Sequence, residues 1–178
     1  MTAQRFRRLL GCSLALLLLA SPGVYAGGNG VVVFDFPINT NQEVPAPNLG
    51  KFGPPEGMGH VEVDLGAMTL SWDITYQDLS GPIVAPGAHF HGPATEGATA
   101  DIQVFLTDGD PPEDSGVLTG TASLTQQQIG EILEGLWYVN IHTELNQSGE
   151  IRGQVVPEPA GLGLLAMGGL FAIRRRGN

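Results

Sequence analysis

Apolar and polar residues alternate with a period of two along most of the chain from Val31 onward, the spacing that turns every second side chain of a strand into a core. Val31-Val32-Val33-Phe34-Asp35-Phe36 is a β-branched and aromatic run and predicts a strand. His60-Val61-Glu62-Val63-Asp64-Leu65 alternates with its valines inward, Gly66-Ala67 makes a turn, and the run from Thr69 to Tyr76 returns with Leu70, Trp72, Ile74 and Tyr76 on one face. Residues Asn39 to Pro55 are rich in Asn, Pro and Gly and predict a loop, as does the crossing from Leu79 to Gly87 with its Gly81-Pro82 and Pro86-Gly87 pairs. Further strands are predicted at Ala88 to His91, Asp101 to Leu106, Gly116 to Leu124, Trp137 to Thr143, and a last one carrying Glu150 to Val155. Gly92-Pro93 ends the first of these, because proline has no N–H to give a ladder.

One segment breaks the rule of two. Ile129, Ile132, Leu133 and Leu136 recur at helical spacing, Thr125-Gln126-Gln127-Gln128 has the form of a capping box, and Gly135 is placed to end the helix. The expected architecture is therefore all-β, an antiparallel Greek-key β-sandwich or flattened barrel with one short helix.

Both ends of the chain read as targeting segments. Arg5, Arg7 and Arg8 precede an apolar stretch from Leu9 to Ala20, and Val24 and Ala26 supply small residues at a cleavage site, so residues 1–26 are expected to be a signal peptide. The stretch is too short for a membrane span of about 20 residues. Leu9-Leu10-Gly11-Cys12 has the look of a lipoprotein box, but the apolar run follows the cysteine instead of preceding it. Since Cys12 lies inside the signal, the exported chain has no thiol for disulfides or nucleophilic chemistry. At the other end Pro157, Glu158 and Pro159 are followed by a short small-residue and apolar segment, Ala160 to Ile173, and then Arg174, Arg175 and Arg176. Residues 157–178 thus resemble a PEP-CTERM sorting signal. That resemblance implies export machinery and an exosortase as partners, transient membrane anchoring through the C-terminal segment, and a final place at the cell surface or in an extracellular exopolysaccharide matrix.

The intervening stretch, residues 27–156, is long enough for one domain with a substantial core. It holds seventeen of the eighteen Asp and Glu, against Lys51 and Arg152 as its cations, so its net charge is near −15. Nucleic-acid binding is excluded by that balance, since it depends on neutralising phosphates with Lys and Arg. The same charge favours solubility and draws cations. The acidic turn Asp108 to Asp114 carries four carboxylates, a set suited to weak Ca²⁺ binding or to simple solvation, and its spacing does not fit an EF-hand loop.

Candidate chemistry concentrates in two stretches. In Ala88-His89-Phe90-His91-Gly92-Pro93-Ala94, strand parity points His89 and His91 to one side and Phe90 to the other. Fifty residues on, Trp137-Tyr138-Val139-Asn140-Ile141-His142-Thr143 puts Tyr138, Asn140 and His142 on one face, and Gly149-Glu150-Ile151-Arg152-Gly153-Gln154 puts Glu150, Arg152 and Gln154 on one face. These stretches resemble the CHRD domain, a repeat first described in chordin, in which a His-x-His-Gly-Pro-Ala strand precedes a Tyr-Val-Asn-x-His-Thr strand and a Gly-Glu-x-Arg-Gly-Gln strand. The resemblance covers roughly Val31 to Val156, and Glu43-Val44-Pro45 matches an element near the start of such domains. It implies a single all-β domain. Glu43 itself reads as a solvated loop charge and His60 as a solvated surface histidine.

If the two histidine strands are neighbours, His89, His91 and His142 converge as three neutral imidazoles, a set that suits one copper or zinc ion with a fourth position left to water or a carboxylate. A His-x-His strand in a cysteine-free Greek-key barrel is also similar to the Cu/Zn superoxide dismutases, although their bridging histidine, further zinc ligands and disulfide have no counterpart here. The competing reading makes the histidines structural, each donating and accepting hydrogen bonds to fix strand register, with Arg152 pairing a carboxylate. No Ser-His-Asp arrangement, nucleophilic cysteine or phosphate-cradling glycine loop is present, so no catalytic residue is assigned. Two functions stay open from sequence: a non-catalytic cell-surface or matrix module binding exopolysaccharide or surface proteins, and a copper- or zinc-binding protein, with or without redox activity.

Overall fold

The structure is a computed structural model that describes residues 26–27, 30–49, 54–106 and 113–156. Among the described residues nine strands follow one another: β1 (Ala26–Gly27), β2 (Val31–Asn39), β3 (Glu56–Asp64), β4 (Thr69–Gln77), β5 (Ile83–His91), β6 (Ile102–Phe105), β7 (Gly116–Ser123), β8 (Tyr138–Thr143) and β9 (Ile151–Gln154). The helix α1 (Gln126–Leu133) lies between β7 and β8. All pairings are antiparallel and the strand order is β6-β5-β8-β9-β2-β3-β4-β7, with β1 added beside β2. The sheet curls until it is nearly closed as a barrel, in line with the all-β expectation.

Alternation explains what lies inside. Val32, Phe34, Phe36 and Ile38 of β2, Val61 and Val63 of β3, and Leu70, Trp72, Ile74 and Tyr76 of β4 are all buried. From the other half of the sheet, Phe90 meets Trp72 edge-on at 5.7 Å between ring centroids and Trp137 at 6.1 Å. Each such side chain taken from water contributes roughly 1.5–3 kcal/mol. Phe90 thereby fixes the side of β5 that faces the core, and the opposite side carries His89 and His91.

The helix forms as its sequence predicts. The Thr125 side chain accepts from Gln128 N at 3.2 Å, the Gln128 side chain accepts from Thr125 N at 2.9 Å, and Ile129 and Ile132 are buried. Gly135 follows the helix at φ +72°, a left-handed conformation that suits glycine.

Several boundaries differ from the sequence reading. The crossing from Leu79 becomes strand at Ile83, but its pairing with β8 is irregular between Ile83 and Ala88, where Pro86 has no N–H to donate. The Asn39 to Pro55 loop contains a 3-10 turn at Thr40–Gln42. Trp137 precedes β8 instead of belonging to it. Residues 1–25 of the signal peptide, Lys51, most of the acidic turn from Asp108, and the sorting residues Pro157, Glu158, Pro159, Arg174, Arg175 and Arg176 lie outside the described residues.

A buried polar cluster ties the crossing to the last hairpin. Glu150, 1 % exposed, accepts from Ser80 N at 2.8 Å, from Ser80 Oγ at 2.7 Å, and from Thr143 Oγ1. Its carboxylate is well supplied with donors, which is the condition for burying a charge, and it serves the fold.

Candidate metal centre

The strands that carry the three histidines are neighbours. In the β5–β8 register His89 lies opposite Asn140 and His91 opposite Tyr138, so His142 is one diagonal step from His89 on the same face. Opposite β6, β5 slips register between Phe90 and His91, leaving Gln103 as an extra residue that donates to Gly92 O at 2.7 Å.

One ligand atom from each of His89, His91 and His142 lies within 4.8 Å of the others. His89 Nδ1 and His91 Nε2 are 3.2 Å apart, and the His89 and His142 rings are 4.8 Å apart between centroids. Ligands about 2.0–2.1 Å from a tetrahedral ion stand about 3.4 Å from one another, close to the separation of the first pair, and the His142 atom lies within 4.8 Å of both.

Main-chain carbonyls set the tautomers. His91 Nδ1 is 2.8 Å from Ala100 O, and His142 Nδ1 is 2.9 Å from Gln147 O. A carbonyl oxygen only accepts, so each Nδ1 carries the proton and each Nε2 keeps its lone pair when the ring is neutral. This is the arrangement found around ligating histidines, whose second nitrogen donates to an outer partner. His142 Nε2 is buried and has no hydrogen-bond partner among the described residues. Burial lowers the pKa of both His91 and His142 below the usual histidine value, keeping the rings neutral.

Tyr138 supports the centre from one side. Its ring stacks on His91 at 4.9 Å and 4° between planes, while the Arg152 guanidinium lies 3.6 Å from the Tyr138 ring centroid. Phe105 meets His89 edge-on at 5.3 Å.

The polar face assigned to His142 and Arg152 from strand parity is real, but it is not solvated. His89 is 0 %, His142 5 % and Arg152 1 % exposed, because residues 92–101 and 40–48 cover this side of β8 and β9. Arg152 pairs no carboxylate at ion-pair distance among the described residues. It donates instead to Ala98 O at 2.8 Å, Thr95 O at 3.4 Å and Gln154 Oε1 at 3.1 Å. Glu43, read from sequence as solvated, is 5 % exposed: it belongs to the covering segment 40–48 and accepts from Asn140 Nδ2 of β8 at 3.3 Å. His60 is where the sequence puts it, half-exposed on the opposite half of the sheet, with Nδ1 2.7 Å from Asp35 Oδ1 and a pKa raised chiefly by that bond.

Tyr138, Asn140 and Gln154 were legible as face-sharers of His142 and Arg152, but their roles were not. The Ala100 and Gln147 carbonyls leave no sequence signal at all. Gly149, at φ +127°, brings its backbone against Asn140 and Glu43: a Cβ there would stand 2.4 Å from Asn140 Oδ1 and 2.5 Å from Glu43 Oε2. Gly149→Ala is therefore expected to lower stability by about 1–3 kcal/mol for the backbone conformation, and by more for the clash. Urea unfolding of the variant measures this, and an unchanged midpoint would contradict the close packing.

The profile of the CHRD domain matches residues 34–155. The chain belongs to the CHRD-domain family. No curated protein and no solved structure gives a significant match.

Proposed function

We propose that this CHRD-domain protein is an exported, non-catalytic binding module whose fold holds one copper or zinc ion on His89, His91 and His142. The observation that carries the reading is His142 Nε2, a buried lone pair without a partner, directed to the side of the sheet where His89 and His91 meet. A buried polar atom left unpaired costs about 1–3 kcal/mol, and a cation at this place satisfies it. The bound ion supplies a Lewis-acidic centre with one position open to water, a carboxylate or a partner's side chain. The acidic domain around it favours cation capture.

Calorimetric titration of the full secreted protein with Cu²⁺ and with Zn²⁺ tests the proposal. One saturable site, retained in His60→Ala, is expected. Affinity falls as pH drops below 6.5, since protons then compete for the imidazoles, and the lowered pKa values of His91 and His142 carry the loss further down. Weak binding without saturation, equal in wild type and in His91→Ala, would reduce the effect to attraction by an acidic surface.

The destination rests on the two termini. The signal-peptide pattern of residues 1–26 and the Pro157-Glu158-Pro159, apolar and Arg174–Arg176 sequence support export and exosortase sorting to the surface or an exopolysaccharide matrix. The mature extracellular species is expected to begin near Gly27 and to lack the arginine cluster. Intact mass spectrometry decides it: a mass retaining Ala160 to Asn178 means a standing anchor and no sorting cleavage.

A further inference from the structure

A second place in the fold has polar atoms without partners, and it lies outside the three-histidine set. Glu43 Oε2 and Asn140 Oδ1 are both buried and unbonded, and both converge on the spot that a Gly149 Cβ would occupy. Two bare acceptors facing one buried spot from 2.4 and 2.5 Å disfavour one another, and a single proton shared between them satisfies both. The other carboxyl oxygen, Oε1, already accepts from Val44 N at 2.9 Å and from Asn140 Nδ2.

Glu43 sits in the middle of the segment that covers β8 and β9. On one side Gln42 Oε1 accepts from Gln154 N at 2.9 Å and Gln42 Nε2 donates to Pro37 O at 3.1 Å. On the other, Asn48 N donates to Asn146 Oδ1 at 2.7 Å and Asn146 Nδ2 donates to Asn48 O at 3.2 Å. The same segment, through Asn41, Gln42 and Val44, forms one wall of a cleft of about 330 Å³, with Arg152 and the Glu96-Gly97 turn as its other boundaries.

We infer that residues 40–48 are a proton-operated strap: a proton on Glu43 Oε2, donated to Asn140 Oδ1, holds the segment against β8 and β9, and its loss sets two acceptors against each other and loosens the wall of the Arg152 cleft. The groups around Glu43 agree. Burial is the largest influence on its carboxyl and raises it to about 7, against partial opposition from the Val44 N–H, Arg152 and Asn140. Arg152 of β9 is the charge facing it. Glu96 acts on Arg152, Glu150 is turned toward Ser80 and Thr143, and His89 of β5 faces Asn140 across the strand pair. The strap thus changes state near neutrality, where an ordinary carboxylate would not.

Linkage fixes the sign. Between pH 4.5 and about 7 the unfolded chain has released this proton while the folded chain keeps it, so stability falls as pH rises through that window, up to about tenfold in the folding constant per pH unit. Above it the contribution is flat.

NMR on the isotopically labelled secreted protein tests the strap. The Glu43 carboxyl carbon is expected to titrate near 7, with the Val44, Asn48 and Gln154 amide resonances following the same curve. Protection of the Asn48 and Gln154 amides, corrected for intrinsic base catalysis, should fall about tenfold from pH 5.5 to 8.5. In Glu43→Gln the neutral amide donates to Asn140 Oδ1 at every pH, so the three amides should stay in their low-pH positions while His60 titrates as before. A Glu43 midpoint at 4.5 or below, read in wild type without any substitution, overturns the inference. So do amides that follow the same curve in wild type and in Glu43→Gln. None of these outcomes involves metal, so the strap stands or falls apart from the three-histidine centre.

Discussion

His142→Ala is expected to weaken Cu²⁺ or Zn²⁺ binding by at least about 100-fold while leaving the sheet folded. Loss of an outer-shell partner alone costs 10–100-fold at metal sites, and loss of a ligand exceeds that. His142 is the right residue to remove because its Nδ1 is committed to Gln147 O and its Nε2 has no partner among the described residues. Taking away an imidazole whose Nε2 bonds nothing among the described residues leaves β8 paired with β5 and β9 through the backbone. If the histidine were structural instead, the same variant would lose stability and show no change in metal affinity, since there would be none to lose. Calorimetry alongside urea unfolding separates the two results.

Arg152→Ala is expected to lower stability by about 2–3 kcal/mol, a large effect for one substitution. The guanidinium is 1 % exposed and serves three acceptors from two segments, Thr95 O and Ala98 O in the loop after β5 and Gln154 Oε1 on its own strand. It also covers the Tyr138 ring that stacks on His91. Alanine deprives Ala98 O and the buried Gln154 Oε1 of the guanidinium donor, leaves Thr95 O with the Ala98 N–H alone, and removes the positive charge that faces Glu43. Arg152→Lys keeps the charge but not the planar fork, so it should recover only part of the loss. Denaturant midpoints of the two variants measure this, and a loss below 1 kcal/mol for alanine would mean that solvent already reaches the site.

The fold was largely legible because period-two alternation is a local property. Val61 and Val63, or Leu70, Trp72, Ile74 and Tyr76, declare their inward face without knowledge of any partner strand. The capping box at Thr125 and Gln128 is equally local and formed as read. What the pattern could not carry was the depth of the second face. Alternation says that Asn140, His142, Arg152 and Gln154 point away from the core, but covering them depends on loops whose paths are set by contacts 54 to 112 residues apart in sequence, such as Arg152 to Ala98 and Gln154 to Gln42. Glu43 was misread for the same reason. A charge in a Pro-rich loop looks solvated until that loop is seen lying across a sheet. The three histidines were found from sequence because parity and a paired motif both point at them. The carbonyls that fix their tautomers come from main chain, which carries no side-chain signature.

X-ray absorption spectroscopy of the protein loaded with one equivalent of Cu²⁺ or Zn²⁺ addresses the three-histidine centre most directly. The account predicts a first shell of nitrogen and oxygen at about 2.0–2.1 Å, with outer-shell scattering from three imidazoles that drops to two in His142→Ala. A first shell of oxygen alone, or imidazole scattering that is the same in wild type and in His142→Ala, would contradict it.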